Sequence, residues 1–226
     1  YRAENAKLRE RDIAANLGIS EAALVAAEVG LTATRIDSHP NRLLERVKEL
    51  GEVMALTRNE SAVHEKIGEF ETIKIADHVS LTLGENMDMR IFNTVWAHGF
   101  AVTKKDGDNE RLSLQYFDKA GDAVFKLHLR PTSNVDAYRA LVADLCLDDQ
   151  SQDFTAETLA SSEEDDPSVT QESLRDQWSK MTDTHQFFGM LKKLKIGRAR
   201  AIRIVGEDYA WKLADGAVAD MLRAAA

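Results

Sequence analysis

Residues 112–129 read Leu-Ser-Leu-Gln-Tyr-Phe-Asp-Lys-Ala-Gly-Asp-Ala-Val-Phe-Lys-Leu-His-Leu. Two short runs rich in aromatic and aliphatic residues, Leu112–Phe117 and Ala123–Leu129, flank the turn signal Lys119-Ala120-Gly121-Asp122, which predicts a β-hairpin. Similar runs precede it: Val53–Thr57, Phe70–Ile75, Val79–Leu83, Met89–Val95 and Gly99–Thr103, with Asp106-Gly107-Asp108 as a further turn. Consecutive short strands with tight turns, about seven in all, predict an antiparallel meander. Upstream, the period is helical. Residues 4–16 place Leu8, Ile13 and Ala14 on one face before Gly18; residues 20–29 begin at the cap Ser20 and stop at Gly30; residues 41–50 follow Pro40 and close at Gly51. Residues 134–147 return to helix. The expected fold class is α+β, a helical cap followed by a large antiparallel sheet with helices packed on it.

Downstream, Asp148, Asp149, Asp153, Glu157, Glu163, Glu164, Asp165 and Asp166 lie in one stretch without Lys or Arg and with few large apolar residues. Such composition buries too little apolar surface to offset ordering, which predicts an acidic linker over 148–168. After it come only helical patterns: Leu174–Met181, Thr184–Leu194, Gly197–Val205 and 216–225. The expected organisation is an α+β unit over 1–147, the linker, and a helical segment over 169–226. A faint repeat supports two related halves. Leu17-Gly18-Ile19-Ser20 followed by Val29-Gly30 is echoed by Leu194-Lys195-Ile196-Gly197 followed by Val205-Gly206. On this reading the chain holds one full repeat and the start of a second.

Charge and composition exclude several classes. The 29 Lys and Arg against 38 Asp and Glu leave −9, the wrong sign for a protein that coats nucleic acid by neutralising phosphate. The single cysteine, Cys146, makes neither an internal disulfide nor a thiolate cluster, so the cytosol is the expected compartment. No apolar run reaches the ~20 residues of a bilayer span. The chain opens on Tyr1 rather than Met, which reads as processing or trimming.

Three constellations could carry chemistry. Arg11–Ser20 followed by Glu21–Glu28 has the outline of a helix-turn-helix. Its second helix offers two carboxylates and no side chain that reads base edges, so a packing hairpin is the stronger reading. The six histidines, His39, His64, His78, His98, His128 and His185, are scattered, without zinc-site spacing; phosphate- and dinucleotide-binding loops are also missing. The third lies at Thr182-Asp183-Thr184-His185-Gln186-Phe187-Phe188. Helical spacing puts Phe188 and Lys192 near the face of His185, and Lys192, Lys193, Lys195, Arg198, Arg200 and Arg203 follow with no acid between them. An imidazole, aromatic walls and a cationic cluster are what a haem requires of its site. A capped amphipathic helix with a solvated basic face is the alternative. Elsewhere, His64 sits at the lip of a strand. Arg90 lies within one, where an inward guanidinium would need an anion.

The chain resembles the HemS-type cytoplasmic haem-trafficking and haem-degrading family of Gram-negative haem uptake. The likeness is carried by Leu8–Ala14 with Leu17–Ser20, by Leu50-Gly51-Glu52-Val53-Met54-Ala55-Leu56-Thr57-Arg58-Asn59-Glu60, by Ala62–Lys66, by Trp96–Val102 and by Thr182–Phe188. It implies two homologous halves, each a helical cap and a large antiparallel sheet, and one haem (haem b) held in a cleft associated with the second half. The resemblance makes His185 the axial ligand of the haem iron, Arg90 a distal-side residue, Arg198 a propionate partner and His64 a secondary or transfer ligand. On the reading of the residues themselves, Phe187 or Phe188 would lie against the porphyrin, and Lys192 or Lys195 would help Arg198 pair with the propionates.

The second-half sheet of that family has no counterpart in this sequence. A domain-swapped or symmetric homodimer would be one way to restore the opposite wall. The implied function is haem binding and delivery in iron acquisition, with oxidative opening of the macrocycle as a further activity. The implied partners are haem, a haem oxygenase, or the cytoplasmic side of a haem importer, with neither nucleic acid nor membrane insertion. The rival reading is a structural or regulatory interaction module in which His185 is incidental.

Overall fold

A computed structural model describes residues 4–5, 8–59, 62–107, 109–158, 165–184 and 186–225. Two compact units emerge, Tyr1–Leu159 and Ala160–Ala226.

Unit 1 opens with α1 (Glu10–Leu17) and α2 (Glu21–Ala26). Gly18 closes α1 at φ 69°, a left-handed conformation that glycine adopts without a Cβ penalty. The Ser20 hydroxyl then caps α2 by accepting the Ala23 N–H. After β1 (Ala33–Ile36) come α3 (Pro40–Leu44) and a 3-10 turn over Val47–Leu50. Eight strands follow: β2 (Val53–Arg58), β3 (Val63–Gly68), β4 (Thr72–Lys74), β5 (Val79–Leu83), β6 (Met89–Phe92), β7 (His98–Asp106), β8 (Asn109–Phe117) and β9 (Ala123–Leu129). The unit's last helix is α4 (Val135–Leu145).

The strands form a six-stranded sheet, ordered β1-β7-β8-β9-β2-β3, and a three-stranded sheet, β4-β5-β6. Every ladder is antiparallel. The expected large antiparallel sheet is present, but the meander is split. β2 pairs with β9 across the intervening strands, and the short β4–β6 segment forms its own layer. Two strands were absent from the sequence reading. In β1, Thr34 and Arg35 interrupt the apolar pattern; β3 is a charged edge strand exposed along nearly its whole length.

The central strands are buried on both faces. On one, Ala101, Leu114, Tyr116, Phe125 and Leu127 pack with Leu43, Leu44, Val47 and Leu50, with Tyr138 and Leu141 of α4, and with Ile91 of the small sheet. On the other, Phe100, Val102 and Phe117 pack against Ala22, Val25 and Ala26 of α2. α2 is therefore pressed into the sheet and is not free to enter a DNA groove. Leu8, expected on an apolar helix face, lies outside α1 and is exposed.

Beneath α2 the sheet also carries polar groups. Lys126 of β9 makes a buried ion pair with Glu21, and His128, on the same face, is held neutral. Burial, then the nearby charges of Lys126, Lys104 and Arg111, lower its pKa to about 4. The small sheet is fastened by amides: Asn41 Oδ1 accepts from Ser80 Oγ at 2.7 Å and from Asn93 Nδ2 at 3.3 Å, and Asn93 Nδ2 also reaches the Ala76 carbonyl at 2.7 Å.

The acidic stretch begins as part of unit 1, which therefore runs on past residue 147. Gln150 Oε1 accepts the Arg35 N–H and its Nε2 donates to the Arg35 carbonyl, both at 2.9 Å, so a side-chain amide pairs with the outer edge of β1. Arg35 Nε donates to the Ser151 carbonyl at 2.7 Å, and Phe154 meets His98 edge-on at 4.8 Å. Residues 150–154 are thus held against β1 and β7 chiefly by side-chain-to-backbone hydrogen bonds, which apolar content does not register.

Unit 2 is helical: α5 (Gln171–Trp178), α6 (Gln186–Leu194), α7 (Arg198–Ile204) and α8 (Ala217–Ala224). Its core gathers Val169, Leu174, Met190, Leu191, Ile196, Ala201 and Val205. Among the described residues, no helix is long and apolar enough to cross a membrane.

Lys126→Met alone is expected to destabilise unit 1 by about 3 kcal/mol by stranding the Glu21 carboxylate, and adding Glu21→Leu to recover most of that loss; denaturant unfolding of the three chains checks this. His128 takes a proton near pH 6.5 when unfolded but only near 4 when folded. Acidification across that window therefore favours the unfolded chain, and stability present above pH 6.5 is lost as the pH falls. His128→Gln is expected to flatten the wild-type pH–stability curve between pH 6.5 and 4 by roughly 3 kcal/mol.

Candidate functional site

In unit 2 the site begins with how α6 divides its two phenylalanines. Phe187 turns inward and meets Trp178 edge-on at 4.8 Å, beside the buried Met190 and Leu191. Phe188, one position on, points away from that core and is 63% exposed. Of the two rings, Phe188 alone is free to meet a ligand. The guanidinium of Arg198, the first residue of α7, lies 5.9 Å from the Phe188 ring centre. The start of α7 is set by Asp165, whose Oδ1 accepts the Gly197 N–H at 2.7 Å. Lys192, four residues after Phe188, is exposed, without an ion-pair partner among the described residues. Phe188, Lys192 and Arg198 thus make a basic surface with an aromatic ring. His185 lies outside the described residues.

In unit 1, β6 alternates. Ile91 and Met89 face the core, while Arg90 and Phe92 point outward and are exposed. Arg90 stands opposite Leu81, itself opposite Lys74, so a row of cation, leucine and cation crosses the outer face of the small sheet. Phe92, 54% exposed, stands opposite Val79 beside that row. Arg90 has no hydrogen-bond or ion-pair partner among the described residues, so it is an outward cation and not a buried one. The sequence reading missed Phe92 and Lys74, although the i, i+2 spacing of Arg90 and Phe92 in a strand already places them on one face.

His64 is exposed on β3, opposite Thr57. With Thr57, Lys66, Met87 and Met89 it lines a cavity of about 220 Å³. Because Met89 faces that cavity and Arg90 points the other way from the same strand, His64 and Arg90 serve different surfaces of unit 1. No group of three or more His, Cys, Asp or Glu residues is placed to hold a metal ion among the described residues.

The architecture is of the mixed α+β class built on a large antiparallel sheet, and each unit carries cations without an ion pair among the described residues beside exposed aromatic rings. Residues 18–145 match the family described as the haemin-degrading HemS.ChuX domain, and the chain belongs to that family. It is 35% identical over 225 residues to the hemin transport protein HemS of Yersinia enterocolitica, an alignment that takes in 99% of this chain and 65% of that protein. Among solved structures it is similar to holo-PhuS, a haem-binding protein from Pseudomonas aeruginosa, with TM-score 0.89 and 34% identity over 99% of this chain and 66% of that one. It is also similar to ChuS, a haem oxygenase of E. coli, with TM-score 0.81 and 32% identity over 95% and 64%. The chain thus spans about two thirds of the length of these relatives.

The two phenylalanines of α6 are expected to separate on substitution. Phe187→Ala should cost unit 2 about 3 kcal/mol, because it empties the contact with Trp178. Phe188→Ala should change stability by less than about 0.5 kcal/mol, as befits an exposed ring. Thermal unfolding of both variants measures the difference.

Proposed function

We propose that this chain binds haem for delivery inside the bacterial cell during iron acquisition. The observation that carries the reading is the exposed Phe188 ring with the Arg198 guanidinium over it, three residues beyond His185. An aromatic ring left in water forgoes burial that a flat apolar macrocycle would supply. A guanidinium beside it matches a propionate carboxylate in charge and shape.

Neutral His185 would be the axial ligand to iron, Phe188 the apolar wall, and Arg198 with Lys192 the propionate partners. Arg90, with Phe92 and Lys74 on the same sheet face, offers a second cationic surface suited to the distal side, where it would hold a water or hydroxide. Exposed His64 suits a transfer role, taking haem up or passing it on. Single-histidine ligation at a partly open site favours a carrier, because the cargo has to leave again.

The family description, and the haem oxygenase among the similar structures, support oxidative opening of the macrocycle as a further activity. Bound haem would supply the oxygen chemistry of that reaction, and the chain's own part would be to orient the small oxidant through Arg90. A separate oxygenase, or the cytoplasmic face of a haem importer, would be the protein partner.

Haemin titration followed in the Soret region tests this reading. Wild type is expected to give a saturable one-to-one band. His185→Ala should shift that band and weaken it, and Arg198→Ala should weaken binding about tenfold without moving it. A non-saturating spectrum identical in all three chains would overturn the reading. Degradation is tested separately, as loss of the Soret band under a reductant with catalase present.

A further inference from the structure

A cavity of about 540 Å³ in unit 1 is lined by neither Arg90 nor His64. It lies between α1, the start of α2, the end of β2 and the β8–β9 turn. Its wall contains Arg58, the last residue of β2. Met54, Leu56 and Arg58 alternate onto the sheet face beneath α1 and α2, so the strand itself carries the guanidinium into the cavity wall. Arg58 Nε is fully buried and has no hydrogen-bond partner among the described residues. Nor does its guanidinium have an ion pair among the described residues. An arginine stays charged at any physiological pH, and leaving it part-buried and unpartnered is costly. A second guanidinium, Arg11 of α1, lines the same cavity and touches the Asn59 carbonyl at 3.5 Å.

The carboxylates on the wall are already engaged. Glu21 pairs with Lys126, Asp118 Oδ1 accepts the Asp122 N–H at 3.0 Å, and Asp122 has contacts of its own. Three carboxylates on the wall disfavour a polyanion and restrict the ligand to a single oxyanion group. Ala14, Ala15, Ile19 and Ala123 supply the apolar remainder of the wall.

We propose that this cavity is a binding site for a small organic acid, its carboxylate or phosphate held by Arg58 and Arg11 and its carbon body lying on the alanines and Ile19. Guanidinium forks donate to the oxygens of such a head group in bidentate fashion. The volume falls within the range of small-molecule sites. The site is independent of the haem reading, and its test uses no haem.

The experiment is a titration with phenylacetate and, separately, phenyl phosphate at constant ionic strength, followed by the arginine Nε–Hε signals in proton–nitrogen spectra. One probe or both are expected to move the Arg58 and Arg11 signals saturably, and the comparison identifies the head group. The Arg58 signal is assigned by its loss in Arg58→Gln. Arg11→Gln should weaken binding about tenfold. Arg58→Lys keeps the charge without the fork, so it is expected to weaken binding even if Arg58→Gln fails to fold. Failure of both probes to shift these signals, or equal binding by wild type and Arg58→Lys, would overturn the proposal. Acetate binding as tightly as phenylacetate would remove the apolar half of it.

Discussion

Burial of β7 and β8 on both faces is the constraint from which the rest of unit 1 follows. Ala101, Leu114 and Tyr116 on one face and Phe100, Val102 and Phe117 on the other cannot be left in water. A sheet with two apolar faces needs two covers. The α1–α2 hairpin supplies one; α3, the 3-10 turn, α4 and the small sheet supply the other. The small sheet turns Ile91 and Met89 toward that core, so strand alternation turns Arg90 and Phe92 outward. The exposed cationic face is thus a geometric consequence of covering the core, and a shift of one residue in the β5–β6 register would bury Arg90 and expose Ile91.

The two edges of the large sheet are managed differently. β3 carries Glu65 and Lys66 and is exposed, which discourages pairing with another chain. β1 is more apolar, and its outer edge is covered by the chain's own acidic segment. Gln150 imitates a neighbouring strand with its amide, and Arg35 grips the next carbonyls. Negative charge on that segment is compatible with this covering role. Asp149 is held below its ordinary pKa chiefly by the Ser151 N–H, with Arg35 adding a smaller attraction. The segment stays solvated on one side while its backbone is fixed on the other.

Legibility in the sequence followed the strength of the local signal. The hairpin strand Ala123–Leu129 and the strand Val79–Leu83 were read with their observed bounds, because apolar runs and Gly-Asp or His-Val boundaries mark them. β1 and β3 were missed because an edge strand needs no continuous apolar face. The packing hairpin was legible in Gly18, Ser20 and the absence of base-reading side chains. The helices that carry Phe188, Lys192 and Arg198 were legible, since α6 and α7 form close to where the pattern places them. The choice between Phe187 and Phe188 was not, because it depends on where Trp178 of α5 packs. Arg58 gave no signal at all: its lack of a partner is a fact of three dimensions.

Four cations show how that last distinction separates architecture from binding. Lys126, Arg58, Arg90 and Arg198 all come from regular elements, and sequence treats them alike. Lys126 is buried and meets Glu21, so its charge is satisfied within the fold and its work is structural. Arg198 is exposed and leans on an aromatic ring, a contact that orients it without neutralising it. Arg90 is exposed on the outer face of the small sheet with Phe92 and Lys74 near it, without an ion-pair partner among the described residues. Arg58 is the most constrained of these three arginines, none of which has an ion pair among the described residues, with a buried Nε and a cavity in front of it. Solvation of a cation beside apolar surface is poor, and each such residue gains when an anion with an apolar body replaces the water. The strands and helices fix where these side chains start, and Arg58, with its buried Nε, has the least freedom left to lose when an anion arrives.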